Sequence, residues 1–165
     1  MARTLLRIFL MISLICTFYI IFNFSSQNGD ESGKLSRKVA SKIINTFPYT
    51  NNLSDATKEK MINQSQPIVR KLAHFSIYTV VGICIMGFIS TYKMILLKKF
   101  IISLGVGILY AISDEIHQSF VPGRGASIRD VCIDTSGVIM GIIMVLVVIS
   151  VFKALSDGVR KEVKN

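Results

Sequence analysis

The sequence predicts an all-α fold, a polytopic membrane helix bundle with four transmembrane helices and an amphipathic surface helix in the first loop. Three observations predict it. Apolar residues make up 51% of the 165 and are gathered into four long runs; about 20 such residues suffice to cross the hydrocarbon layer as a helix. The formal charge of +9 is carried largely between the runs. A dense polar stretch, Asp114 to Asp134, stands between the last two runs, and ionisable groups beside hydrocarbon are costly enough to need a use. A single domain over 1–165 fits, with spans near 5–24, 68–90, 98–117 and 129–152, and with 25–67 as an extracytoplasmic loop holding amphipathic helices.

The first run follows Arg3 and Arg7 and extends to Phe24. A signal peptide also has a basic start and an apolar stretch. This run is long and no small-x-small cleavage site follows it, so it reads as an uncleaved spanning helix. In the polar segment, Leu35, Val39, Ile43 and Phe47 recur at helical spacing beside Ala40 and Ile44, with Lys34, Arg37, Lys38 and Lys42 on the other side. That pattern suits a helix lying on the membrane surface or one packed on the bundle. Pro48 ends it, Asn51-Asn52 marks a loop, and Ser54 caps a short helix through Ile62.

Pro67 is placed to open the second span, where a missing N–H costs nothing. Lys71, His74, Tyr78 and Gly82 then share one helical face. Arg70 and Lys71 also suit interfacial anchors whose heads reach the headgroup level. In the third run Gly107, Ala111, Asp114 and Gln118 line one side, passing from small residues to a carboxylate and an amide. Pro122-Gly123 turns the chain with Arg124 at the tip, and Ser127 with Asp130 forms a variant capping box. Asp130, Asp134, Gly137 and Gly141 share a face of the fourth helix, the two glycines suiting close packing. Cys16, Cys84 and Cys132 lie within or at the edge of apolar runs, are odd in number and lack CxxC spacing, and so read as small buried apolar residues.

Four spans put both termini on one side. If that side is cytoplasmic, it holds nine of the 19 Lys and Arg, while six of the remaining ten lie in the long first loop. Density near the spans orients helices, so both termini are expected in the cytoplasm and the polar cluster at the outer face of the membrane. No nucleic-acid-binding motif accompanies the basic residues, which points to topology and anionic lipid instead of nucleic acid.

Polar faces from three helices thus meet at one depth. His74, Asp114 and Glu115 are candidates for acid and base chemistry, and Lys71, Tyr78, Gln118, Arg124, Asp130 and Asp134 for ligand binding. Lys71 and Arg124, with Arg70 and Arg129 nearby, suit a phosphate. His74, His117, Asp114 and Asp130 are possible metal ligands, but no spacing is diagnostic, so no metal is assigned and any cofactor is unknown.

The motifs Arg70-Lys71-Leu72-Ala73-His74-Phe75 with Tyr78 and Gly82, Asp114-Glu115-Ile116-His117-Gln118, Phe120-Val121-Pro122-Gly123-Arg124, and Asp130-Val131 with Gly137 resemble the signature of VanZ-like membrane proteins. Phe24-Ser25-Ser26-Gln27 resembles that family's Phe-Ser-x-Gln element. The resemblance covers nearly the whole chain. It implies a bacterial membrane protein and, by analogy with the founding member, low-level resistance to the glycopeptide teicoplanin. Three readings of the cluster stand side by side. One is a pocket for an anionic lipid headgroup, a lipid-linked cell-wall precursor or a glycopeptide; another is an intramembrane enzyme, acid/base or metal-assisted, modifying a lipid or lipid-linked precursor; the third is a network holding the helices together. Membrane lipids are expected partners, and a homo-oligomer is open.

Overall fold

The computed structural model describes residues 1–162; Lys164 of the basic tail, and the side chains of Arg160 and Lys161, lie outside the described residues. The described residues form five α-helices and no strand: α1 (Ala2–Ser25), α2 (Gly29–Thr46), α3 (Asp55–Ser90), α4 (Leu96–Ser119) and α5 (Ile128–Glu162), with a 3₁₀ turn at Pro48–Thr50. Helices α1, α3, α4 and α5 are long and apolar enough to span a bilayer. Their outward residues, among them Phe9 at 65% exposure, Leu109 at 70% and Val147 at 55%, present apolar surface suited to lipid. The chain is a multi-pass membrane protein.

Local chemistry sets several ends. The Asn28 side chain accepts from the Glu31 N–H at 2.8 Å and caps α2, with Asp30 and Glu31 favourably placed in its first turn. Phe47, preceding Pro48, is extended, and α2 stops there. Ser54 caps α3 through the Thr57 N–H. That helix does not end near Ile62, nor does Pro67 begin a new one: α3 runs unbroken through Pro67. A proline inside a helix deprives the carbonyl four residues back of its donor, leaving the Asn63 carbonyl free of its usual intrahelical partner. Packing compensates, since α2 lies along this part of α3 and buries Ala40 and Ile44 against Ile62.

The face that α2 buries differs from the apolar stripe. Ser32, Ser36, Ala40 and Ile44 pack inward, while Leu35, Val39, Ile43 and Phe47 stay 40–59% exposed. Small side chains permit the close approach to α3, and the larger stripe is left open beside it.

The centre of the bundle is the crossing of α3 and α5, which run in the same direction. A Cβ on Gly82 would strike the Val138 carbonyl, one on Gly137 the Phe75 carbonyl, and one on Gly141 the Thr79 carbonyl. In lipid, helices associate by packing rather than by the hydrophobic effect, and such backbone-to-backbone contact supplies it. Around it Tyr78, Val81, Ile85, Met86, Ala111, Val138 and Ile142 form the core. The α4 face expected inward, Gly107, Ala111, Asp114 and Gln118, is buried throughout. Helix α1 is fastened at two levels by three contacts. Arg7 donates to Thr91 at 2.8 Å, Phe18 stacks on Tyr110 at 3.7 Å between ring centroids, and the Tyr110 hydroxyl donates to the Phe18 carbonyl at 3.0 Å. Of the cysteines only Cys84 is buried; Cys16 and Cys132 lie on exposed helix faces, because their positions fall on the outward sides of α1 and α5.

Gly141→Val should destabilise the bundle by ~1–3 kcal/mol, the usual range for overpacking, because the obstacle is the Thr79 backbone and not a side chain that can swing away. Thermal or denaturant unfolding in micelles checks this; an unchanged midpoint would remove the glycine contact from its central place.

Candidate functional site

The end of α1, the middle of α3, the end of α4 and the start of α5 meet at one end of the bundle, because successive spans alternate in direction. Since α3 and α5 are parallel, their polar residues face each other in rungs set by the glycine register below. Lys71 Nζ lies 3.1 Å from Asp130 Oδ1. One turn further, His74 Nδ1 lies 3.3 Å from Asp134 Oδ1, without the alignment of a hydrogen bond. The register thus gives Lys71 to Asp130 and His74 to Asp134; neither is held chiefly by Asp114. The Lys71–Asp130 pair is more than a third exposed on both sides, which leaves it within the ~0–1 kcal/mol of surface pairs.

Asp114 Oδ2 accepts from Gln118 Nε2 at 3.0 Å, and the same nitrogen reaches Ser25 Oγ at 3.3 Å. The Ser25 carbonyl accepts from Arg124 at 3.4 Å. Ser25, 1% exposed, therefore ties α1 to α4 and to the Pro-Gly-Arg turn. The sequence marked it only as part of the Phe24-Ser25-Ser26-Gln27 element at the close of the first apolar run, with no role attached. The turn is clasped from the other side as well, with the Gly29 N–H donating to the Pro122 carbonyl at 3.1 Å. Gly123 has φ +74°, and a Cβ on Gly29 would strike its carbonyl, so both glycines are needed where the two segments touch.

Two residues stand apart from the cluster. Glu115, 3% exposed, accepts the Ser127 N–H at 2.8 Å and so caps the start of α5 from twelve residues away. It replaces the Ser127–Asp130 capping box, since the Asp130 carboxylate is engaged by Lys71. His117 turns to α1, with its Nε2 3.0 Å from Ser26 Oγ and its ring stacked on Phe22. Arg129 is exposed on α5.

Above the rungs lies a polar cavity of about 370 Å³, lined by Arg70, Lys71, His74, Gln118, Arg124 and both carboxylates of the rungs. Beside it an apolar groove of about 420 Å³ runs between α1, α2 and α3, walled by Leu35, Val39, Ile43, Val69, Leu72 and Ile77. Arg70, His74 and Arg124 line both. Burial presses the Arg124 pKa down from the ordinary arginine value and the like charge of Arg70 adds to this, against the pull of Asp114 and Glu115. The guanidinium remains a cation with unspent donors, its Nε having no partner. Tyr78 lies beneath, fully buried, its hydroxyl beside the Asp114 carboxylate without the alignment of a full hydrogen bond. For a metal, the donor atoms of His74, Asp114 and Asp134 lie within 4.8 Å of one another, whereas His117 and Asp130 are held elsewhere.

A family model described as VanZ/LLP1 matches residues 10–150. No curated protein and no solved structure matches the chain.

Because Glu115 serves the α5 N-terminus, Glu115→Ala should lower stability by about 0.5–2 kcal/mol, the usual cost of a lost helix cap, and Glu115→Gln by less, as an acceptor oxygen remains. Unfolding of the two variants in micelles reads the difference; equal losses would separate Glu115 from the cap.

Proposed function

Given that the chain belongs to the VanZ/LLP1 family and is a multi-pass membrane protein, we propose that it binds an amphiphile of the bacterial cell envelope. An anionic lipid headgroup or lipid-linked cell-wall precursor would occupy the polar cavity, with its hydrocarbon chain in the apolar groove. The observation that carries this is the junction of the two spaces at Arg70, His74 and Arg124. Cations placed where a polar chamber opens into an apolar channel match the two halves of a charged lipid. The α2 stripe Leu35, Val39 and Ile43, exposed in the isolated chain, would then meet a lipid chain. The cluster would face the outside, as the positive-inside distribution favours, within reach of cell-wall intermediates. Low-level glycopeptide resistance would follow if a precursor held here were less available to the antibiotic.

A network that served only to join helices would satisfy its own members. Here Arg124 Nε and Asp134 Oδ2 are buried without hydrogen-bond partners, and His74 Nδ1 meets Asp134 Oδ1 only at a poorly aligned 3.3 Å, which favours a bound species over a purely structural cluster. The enzyme reading draws support from one contact, His74 beside Asp134 at 3.3 Å on the cavity wall, the arrangement of a base oriented by a carboxylate. Release of headgroup from a labelled lipid by wild type and not by His74→Ala would establish it.

With the protein in nanodiscs, Arg124→Ala should weaken binding of phosphatidylglycerol by roughly tenfold or more, as for loss of one charge-assisted bond, and leave phosphatidylcholine unaffected. Val39→Trp, which fills the groove, should weaken both. Equal phosphatidylglycerol affinity in wild type and Arg124→Ala would count against the reading. Teicoplanin susceptibility, compared with and without the gene in a host lacking relatives, tests the resistance analogy; unchanged susceptibility would discard it.

A further inference from the structure

Three carboxylates are buried at the polar end of the bundle, Asp114 at 5% exposure, Glu115 at 3% and Asp134 at 0%. Each carries a desolvation cost unless donors or a cation meet it. Glu115 has the α5 N-terminus and Asp114 has Gln118. Asp134 has only the His74 imidazole, 3.3 Å from Oδ1 and poorly aligned, and its Oδ2 has no partner. Its surroundings repeat the pattern. His74 Nδ1 has no better-aligned partner, and the hydroxyl of the fully buried Tyr78 lies close to Asp114 and Asp134 without a full hydrogen bond. The neighbouring Lys71 is turned to Asp130. One spot therefore gathers an imidazole nitrogen and oxygens from three helices, with unmet electron pairs and, among the described residues, no lysine or arginine in contact with Asp134.

We propose that His74, Asp114 and Asp134 bind one divalent transition-metal cation at the floor of the polar cavity. Their donor atoms already lie within 4.8 Å of one another. Ligands sharing a cation at ~2.0–2.2 Å sit roughly 3–4 Å apart, so closure takes only small side-chain movement. One imidazole and two carboxylates suit Zn²⁺ or Mn²⁺ better than Mg²⁺ or Ca²⁺, which prefer oxygen alone. The Gln118 amide, donating to Asp114 Oδ2 at 3.0 Å, fixes that carboxylate from behind, as outer partners of metal ligands do. Tyr78 is left to bond a water or ligand oxygen on the cation. His74 also lines the cavity, which leaves the cation a side open towards Arg70 and Arg124. The cation would remove an inconsistency in the site, an anion-binding chamber floored by buried carboxylates. Its binding requires only the three side chains, with or without a lipid above.

The test uses the full chain without a histidine tag, stripped with chelator, reconstituted in nanodiscs and dialysed against Mn²⁺. Manganese is the probe because the three free cysteines would compete for Zn²⁺. Elemental analysis should find about one Mn²⁺ per chain, and electron paramagnetic resonance a bound signal that Zn²⁺ displaces. His74→Ala and Asp134→Ala should each weaken binding by at least roughly tenfold, with helical circular dichroism and gel-filtration profile retained. If Asp134→Ala does not fold, His74→Ala decides, since His74 sits on the cavity wall. Wild-type protein free of Mn²⁺ at saturating concentration, or folded His74→Ala binding as wild type does, overturns the proposal.

Discussion

Everything at the polar end depends on how closely α3 and α5 approach. With glycine at positions 82, 137 and 141 the two backbones touch, and in a bilayer this packing has to supply what the hydrophobic effect supplies in water. The same contact fixes the register. Once Gly137 rests on the Phe75 carbonyl, Asp134 is delivered to His74 and Asp130 to Lys71. Geometry of the charged rungs is thus a consequence of residues with no side chain at all.

Proximity of the helices also sets the electrostatics. A carboxylate held against a tight helix crossing cannot rotate out to water, and Asp134 at 0% exposure is in that position. The site divides by depth as a result. Lys71 and Asp130, higher and half open, pair with each other, while His74, Tyr78 and Asp134, lower and closed, keep unmet hydrogen-bonding capacity. Groups of the second kind are costly to maintain and are where a ligand gains most from its contacts.

Much of this was legible in residue order. Helical periodicity identified the inward face of α4, and the spacing of Gly137 and Gly141 identified the packing face of α5. What periodicity cannot do is name the partner across the gap. It grouped Leu35, Val39 and Ile43 correctly as a stripe, yet the face that packs on α3 is the adjacent one bearing Ser32, Ser36 and Ala40. It treated Pro67 as a beginning because proline is cheapest there, although packing of α2 against α3 carries the helix through it. Glu115 as the cap of α5 and Ser25 as a tie between α1, α4 and the turn are long-range contacts whose partners no local pattern names.

The uninterrupted passage of α3 through Pro67 has a mechanical consequence. At 36 residues the helix is about 54 Å long, nearly twice the hydrocarbon thickness, so its first part projects from the membrane with α2 alongside. Proline marks the weakest joint in this rod. The polar cavity straddles it, with Asn63 and Gln66 on one side and Arg70 and Lys71 on the other. A molecule bound there would touch the helix on both sides of the proline, and any preference it had for one bend of α3 would, by thermodynamic linkage, be matched by a preference of that bend for the occupied state.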